Sequence, residues 1–111
     1  MIREEPNMPK GYVIITEAIH DPDGMEAYGK MAAASIADHR PVPLVVDENV
    51  ELLEGEWPGN RTIVLEFESV DKAREWYNSA GYQEARPLRQ AAADCNAVMV
   101  SGFAAPPAQT A

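Results

Sequence analysis

The chain has 111 residues, enough for one hydrophobic core and too few for two, so we expect a single domain. Its composition, 46% hydrophobic and 24% charged, is that of an ordinary globular protein, and no apolar run approaches the roughly 20 residues that cross a bilayer. Nine basic residues against 18 acidic ones give a formal charge of -9, which disfavours nucleic acids and anionic membrane surfaces as partners.

The ends of the chain and its cysteine content set further expectations. The N-terminus lacks the basic start, apolar stretch and cleavage site of a secretory signal, so we expect a cytoplasmic protein. Cys95 is the only cysteine, which excludes an internal disulfide and a CxxC metal or redox pair. Proline-containing polar ends predict a flexible arm over residues 1–10 and a flexible tail over residues 104–111, with the domain between them in residues 11–103.

The first half of the domain predicts a strand, a helix and a second strand. Residues 12–19, YVIITEAI, are apolar on both faces and predict a central strand. Asp21-Pro22 predicts a helix start, an N-cap followed by proline at the first helical position. The apolar face of this helix recurs every three or four residues, at Met25, Tyr28, Ala32 and Ile36. The helix must end before Pro41, and residues 43–54 predict strand two, irregular near residues 47–49.

The second half predicts a hairpin, a helix and a last strand. The glycines and proline of residues 55–60, GEWPGN, predict a hairpin loop into strand three, residues 62–67. Ser69 predicts the N-cap of helix two, which Gly81 ends or kinks. The apolar side chains of that helix are Val70, Ala73, Trp76 and Tyr77. Residues 82–94 look helical again, with a kink or a new start at Pro87, and residues 97–103 predict strand four.

This order of elements is typical of one fold class. Strand, helix, strand, strand, helix, strand is the ferredoxin-like βαββαβ order, with an antiparallel sheet arranged 4-1-3-2 and the helices on one face. The opposite face of the sheet then lacks a cover although its strands are apolar. We therefore expect a homodimer that pairs the two sheets.

Several longer motifs together resemble a known family. They are GYVI, DPDGMEAYGKM, LLEGEWPGNR, VLEFES and WYNSAGYQEARPLRQAAAD. Over roughly residues 9–103 the chain resembles the family called domain of unknown function 1330. The resemblance implies the dimeric α/β-barrel superfamily, which includes cofactor-free monooxygenases, muconolactone isomerases, polyketide cyclases, haem enzymes and ligand-sensing domains. Residues 38–43, DHRPVP, depart from the family, which has an aromatic residue and a glycine pair there.

The two histidines and the cysteine are the first candidates for chemistry. His20 and His39 lie at opposite ends of the first helix, roughly 25 Å apart, so they cannot share a metal within one chain. We expect no metal, haem or other cofactor. His20 is a candidate catalytic residue because Cys95 can lie at the same end of the sheet. The alternatives are a solvated histidine and an unreactive, half-buried thiol.

Six residues match positions that recur in the family: Arg61, Glu66, Trp76, Tyr77, Tyr82 and Arg89. Glu66 lies mid-strand between apolar residues, so its carboxylate needs a partner, most simply Arg61 or Arg89. Glu66 and Tyr82 are the candidate catalytic groups. Arg89 and Arg61 are the candidate anion ligands. Trp76 and Tyr77 are the candidate aromatic wall, with plain core packing as the alternative.

The sequence supports two classes of function. The first is a cofactor-free isomerase, cyclase or monooxygenase for a small aromatic or polyketide-like acid, in which an arginine binds the acid and a tyrosine or glutamate moves a proton. Tyr82 and Arg89 are seven residues apart, about two helical turns, so they can share a face of the site. The second is a non-catalytic dimer that binds a metabolite or a protein.

Overall fold

A computed structural model describes residues 9–103, which form four strands and three helices. In chain order they are β1 (Gly11–Ile19), α1 (Pro22–His39), β2 (Val42–Asp47), β3 (Arg61–Phe67), α2 (Val70–Asn78), α3 (Ala80–Ala92) and β4 (Ala93–Ser101). The strands form one antiparallel sheet in the order β2-β3-β1-β4. This is the predicted 4-1-3-2 order counted from the other edge, and the fold is the predicted α+β ferredoxin-like one. The flexible arm and tail predicted for the chain ends lie almost entirely outside the described residues.

The hydrophobic core lies between the sheet and the helices. Alternate residues of the two central strands, among them Val13 and Ile15 of β1 and Leu65 of β3, point to the helices and are buried. Trp76 and Tyr82 fill the space opposite them and are almost completely buried. The period of two along each strand thus divides the sheet into a helix-covered face and an open face.

Helix α1 begins as the sequence predicts. The Asp21 side chain accepts a hydrogen bond from the Gly24 amide at 3.1 Å, and Pro22 occupies the first turn. The packing face differs at one position, because Ile36 is 40% exposed and Ser35 is buried in its place. A Cβ on Gly81 of α3 would lie 3.4 Å from the Ser35 Cβ, so α1 and α3 approach each other closely at these two residues.

The break between α2 and α3 falls at Ser79, two residues before the predicted Gly81. The Ser79 hydroxyl donates to the Trp76 carbonyl at 2.7 Å and accepts from the Tyr82 amide at 3.3 Å, so one side chain ends one helix and caps the next. The new helix start predicted at Pro87 is wrong, since α3 continues through it. Pro87 is exposed, so its ring lies outside the core.

Strand β2 is shorter than predicted and β4 starts earlier. β2 ends at Asp47, whose carboxylate accepts from the Asn49 amide at 2.8 Å, and residues 48–60 form an irregular loop. β4 begins at Ala93, directly after α3, because it pairs with β1 along its whole length, from Ile19↔Ala93 to Gly11↔Ser101. Long-range pairing therefore overrides the helical pattern expected up to residue 94.

No helix covers the open face of the sheet within residues 9–103, and only Trp57 of the loop 48–60 is seen to contact it there, donating to the Thr62 hydroxyl at 2.9 Å. Its exposed apolar side chains come from both edge strands, and they include Val42, Val45, Val98 and Val100. None of the three helices is long and apolar enough to cross a membrane. The edge strands thus give the open face exposed apolar side chains, as the strand pattern predicts, while its centre carries the polar pair Tyr12 and Glu66.

Candidate functional site

A row of three polar side chains crosses the helix-covered face of the sheet. Glu17 of β1 stands directly opposite Arg61 of β3 on one side and Cys95 of β4 on the other. Residues directly opposite each other in antiparallel strands point to the same face. The sheet thus places a carboxylate, a guanidinium and a thiol side by side under the helices.

Glu17 is the residue of this row that the sequence analysis missed. It is 0% exposed, and its Oε1 accepts a hydrogen bond from Arg61 Nε at 2.7 Å. Its Oε2 has no hydrogen-bond partner among residues 9–103. Its position was detectable, because Glu17 follows Val13 and Ile15 at a spacing of two, which assigns it to their buried face. Glu66 was the more prominent candidate in the sequence, because it stands between the apolar residues Leu65 and Phe67.

The helices place a hydrogen-bonded chain of three side chains above this row. Arg89 Nε donates to the Tyr82 hydroxyl at 3.1 Å, and the hydroxyls of Tyr82 and Tyr28 are 2.9 Å apart. The prediction that Tyr82 and Arg89 share one helix face is therefore confirmed. Burial raises the pKa of Tyr28 above its usual value, and the adjacent Tyr82 raises it further. Tyr28 therefore keeps its proton at neutral pH.

Arg89 and Cys95 meet at the edge of this cluster. Arg89 is only 2% exposed. Burial opposes its charge, but Tyr82 and Cys95 more than compensate, so the pKa of Arg89 rises and the guanidinium stays charged. Burial raises the pKa of the Cys95 thiol, and Arg89 offsets part of that rise. Cys95 is therefore mostly a thiol rather than a thiolate, which disfavours it as a nucleophile.

Two clefts open on opposite sides of the polar cluster. The Arg89 cleft has a volume of about 490 Å³ and is lined by Tyr77, Arg89, Gln90, Ala93, Asp94, Cys95 and Ala97. The Arg61 cleft has a volume of about 500 Å³ and is lined by Ile19, Pro22, Met25, Glu26, Glu48, Asn60 and Arg61. Both volumes lie within the range of small-molecule sites.

Glu66 does not join this cluster. It lies on the open face of β3, where its Oε2 accepts a hydrogen bond from the Tyr12 hydroxyl at 3.0 Å. This bond raises the pKa of Tyr12. The predicted ion pair of Glu66 with Arg61 or Arg89 is wrong, because both arginines lie on the helix side of the sheet, and Arg61 pairs with Glu17 instead.

The predicted site histidines do not lie next to Cys95, and the two aromatic candidates have different surroundings. His20 is exposed and its side chain makes no hydrogen bond within residues 9–103, whereas His39 Nδ1 lies 3.0 Å from the Ser35 carbonyl. Cys95 contacts Arg89 and, at 3.6 Å, the Ala93 carbonyl, so no Cys-His pair forms. Trp76 stacks against Tyr82 at 4.2 Å and belongs to the core, while Tyr77 lines the Arg89 cleft. Within residues 9–103 no three His, Cys, Asp or Glu side chains converge as a metal site.

The sequence matches a family description over almost the whole described chain. Residues 10–103 match the family described as Domain of unknown function (DUF1330). The chain belongs to this family. No curated protein sequence matches the chain. DUF1330 membership confirms the family resemblance carried by the five motifs, and the family description itself assigns no activity.

Solved structures confirm the fold of this DUF1330 chain. A protein of unknown function from Rhodopseudomonas palustris has a TM-score of 0.65 at 19% identity, covering 86% of this chain and 83% of the other. SnoaB, a cofactor-independent oxygenase from Streptomyces nogalater, has a TM-score of 0.60 at 14% identity, covering 90% and 99%. A dimeric ferredoxin-like protein of unknown function from Thermobifida fusca has a TM-score of 0.56 at 15% identity, covering 94% and 100%. At these identities the likeness establishes the fold alone.

Proposed function

We propose that this DUF1330 protein is a homodimeric, cofactor-independent enzyme that binds a small aromatic or polyketide-like acid in the Arg89 cleft and forms an enolate from it. The single observation that carries the proposal is the hydrogen-bonded chain Tyr28–Tyr82–Arg89, whose arginine lines that cleft. SnoaB, which shares the fold, is a cofactor-independent oxygenase, and this supports the choice of chemistry.

Arg89 is the anion-binding group of the proposal. Tyr82 bonds to Nε, and in the proposal the terminal nitrogens of this guanidinium, which also contacts Cys95, make the planar, two-pronged contact that a carboxylate or enolate prefers. In a chain with a formal charge of -9, a buried arginine is a strong local attraction for an anion. Tyr82, held in turn by Tyr28, fixes the orientation of this arginine.

Asp94 is the proton acceptor of the proposal. It lines the same cleft as Arg89 and is exposed. Asp94 stands opposite Ala18, so strand alternation assigns its side chain to the other face of β4 from Cys95, and in the proposal it reaches the substrate around this edge strand. Its carboxylate removes a proton from the carbon next to a substrate carbonyl, and the electron pair of that C–H bond moves to the carbonyl oxygen. Arg89 then stabilises the enolate oxygen. An enolate formed in this way is a starting point for isomerisation, for cyclisation or for reaction with oxygen.

The homodimer of the proposal uses the open face of the sheet. Burying apolar side chains such as Val98 and Val100 of both copies removes them from water, which stabilises association by about 25 cal/mol per Å² of apolar area. The Thermobifida fusca protein of the same fold is described as dimeric, which supports this arrangement. The helix side, which carries both clefts, stays accessible.

Binding is tested first, with benzoate and its neutral analogue benzamide. We expect ligand-detected NMR to show benzoate binding at least about tenfold tighter than benzamide, since one charge-assisted contact is worth at least about 1.5 kcal/mol. Arg89→Met should abolish this preference, while Arg74→Met, which removes an exposed arginine of α2, should not. Equal binding of acid and amide, or an unchanged preference in folded Arg89→Met, would refute the Arg89 site.

Catalysis is tested separately, with phenylpyruvate as an enolisable aromatic acid. In D₂O we expect the protein to accelerate deuterium incorporation at the carbon next to the ketone, measured by ¹H NMR. Asp94→Asn should lower this rate by about 10²-fold or more while leaving benzoate binding intact. If phenylpyruvate binds but exchanges no faster than in buffer, the non-catalytic alternative, a metabolite-binding dimer, is supported instead.

A further inference from the structure

The Arg61 cleft lies on the other side of the polar cluster and has no part in the proposed function. It is enclosed by the end of β1, the first turn of α1, the loop 48–60 and the start of β3. Its floor is apolar and consists of Ile19, Pro22 and Met25. Its volume of about 500 Å³ suits a small organic molecule rather than an ion.

One end of this cleft carries hydrogen-bond donors. Arg61 bonds to Glu17 through Nε alone, at 2.7 Å, and its two terminal nitrogens make no hydrogen bond within residues 9–103. The Asn60 side-chain oxygen accepts from the Ile19 amide at 3.4 Å, which leaves the amide nitrogen of Asn60 available. These donors fit a carboxylate, with the guanidinium fork as the main contact.

The net charge of this cleft differs from that of the Arg89 cleft. The buried carboxylate of Glu17 offsets the positive charge of Arg61, so this pair has no net positive charge. The Oε2 atom of Glu17 has no hydrogen-bond partner within residues 9–103. Two further carboxylates, Glu26 and Glu48, line the cleft. A simple anion is therefore repelled, whereas a ligand with a separate positive group is attracted.

We propose that the Arg61 cleft binds a zwitterion of the amino-acid class. The ligand carboxylate contacts Arg61 and Asn60, its ammonium group contacts Glu26 and Glu48, and its hydrocarbon side chain packs on the apolar floor. Each end alone gains less than both together, because a lone carboxylate meets the two glutamates and a lone ammonium group leaves the terminal nitrogens of Arg61 without an anion. The cleft thus selects for both charges on one small molecule.

Three probes of matched hydrocarbon shape test the proposal: L-leucine, 3-methylbutylamine, which lacks the carboxylate, and 4-methylpentanoate, which lacks the ammonium group. With ¹⁵N-labelled full-length protein, we expect leucine to shift the amide signals of Ile19, Met25 and Asn60. Its affinity for these positions should exceed that of either analogue by about tenfold, the effect of one charge-assisted contact. Shifts at Ala97 and Cys95 report the Arg89 cleft separately.

Variants test which side chains contact the ammonium group and the carboxylate of the ligand. Glu26→Gln and Glu48→Gln, both at exposed positions, should each weaken leucine binding severalfold, while Glu84→Gln, at an exposed position on α3, should not. Arg61→Lys keeps a positive charge beside Glu17 but loses the two-pronged guanidinium contact, so it should also weaken leucine binding. The proposal is overturned if either analogue binds these positions as tightly as leucine, if leucine shifts only the Arg89 cleft, or if millimolar leucine shifts nothing. A lack of benzoate binding at Arg89 would not affect it.

Discussion

The ion pair between Glu17 and Arg61 should dominate the effects of single substitutions on stability. Arg61→Met leaves a fully buried carboxylate without its partner, which typically costs about 3 to 5 kcal/mol in the free energy of unfolding. Glu17→Gln should cost less, because the Arg61 side chain is 23% exposed and reaches water. The double variant Glu17→Leu/Arg61→Met should be more stable than Arg61→Met alone.

Urea denaturation measures these differences. Glu66→Gln is the matched control, because it removes the charge of the glutamate on the other face of the sheet, whose one hydrogen-bond partner within residues 9–103 is Tyr12. We expect this control to stay within about 1 kcal/mol of wild type. Equal losses in Glu66→Gln and Arg61→Met would contradict the assignment of the buried pair.

Tyr28 should make the stability depend on pH in the alkaline range. Its pKa is raised in the folded chain, by burial first and by Tyr82 next, whereas an unfolded tyrosine ionises near about pH 10. Above that pH the unfolded chain has lost a proton that the folded chain keeps. The contribution of Tyr28 is thus present below about pH 10 and is lost as the pH rises further.

The measurement is the urea midpoint between about pH 8 and about pH 11, for wild type and Tyr28→Phe. The urea midpoint of Tyr28→Phe is lower than that of wild type at the start of this pH range, since the variant lacks the hydroxyl that contacts Tyr82. We expect its midpoint to fall less steeply with pH than that of wild type. Parallel curves would show that Tyr28 ionises at the same pH in both states.

At the residue scale, the sequence predicted some partners and could not predict others. The pairing of Tyr82 with Arg89 followed from local helical geometry, and it is correct. The partner of Arg61 depended on which face of the sheet each glutamate occupies, and hence on the register of β1 against β3. That register is a long-range property, and local pattern alone left Glu66 as the more prominent carboxylate.

At the scale of elements, the loop 48–60 is fixed to the sheet at its C-terminal end. The Asn60 amide donates to the Glu17 carbonyl at 2.7 Å, and Gly59, with φ +89°, lies against the same backbone. A Cβ at Gly59 would approach the Glu17 carbonyl oxygen to 2.6 Å. The contact thus couples the loop to the strand that carries the buried carboxylate.

Substituting two glycines of this loop separates steric contact from backbone strain. Gly55→Ala, at φ +73° with open space around it, should cost about 1 kcal/mol, the penalty of a left-handed conformation. Gly59→Ala pays the same penalty and in addition must displace the Glu17 backbone, so we expect a clearly larger loss of unfolding free energy. Equal losses for the two variants would show that the loop moves away freely.

Element boundaries were predictable where a single side chain sets them. Asp21 and Ser69 cap their helices by local hydrogen bonds, and both were identified from the sequence. The ends of β2 and the start of β4 were missed, because pairing with β3 and β1 sets them. The new helix start predicted at Pro87 was wrong, because α3 tolerates this exposed proline. Which side of α3 is exposed depends on how the helix packs, and local sequence does not show that.

At the scale of the whole molecule, the two faces of the sheet have separate tasks in our proposal. The helix-covered face holds the polar cluster and both clefts, while the open face is apolar and available for a second copy. The sequence predicted this division, since strand alternation and the ferredoxin-like order are both visible in it. It did not predict two clefts, because the wall of the Arg89 cleft combines three elements and that of the Arg61 cleft four.

The homodimer gives the last prediction. Val98 is 54% exposed on the open face of β4, and an aspartate there would bury two like charges against each other across a sheet-to-sheet interface. We expect light scattering at micromolar concentration to give about twice 12.2 kDa for wild type and 12.2 kDa for Val98→Asp. Met31→Asp is the matched control, because Met31 is 48% exposed but lies on α1, away from the open face. This variant should stay dimeric, since its charge remains in water. A wild type of 12.2 kDa alone would refute the dimer, and dissociation by Met31→Asp but not by Val98→Asp would place its interface on the helices.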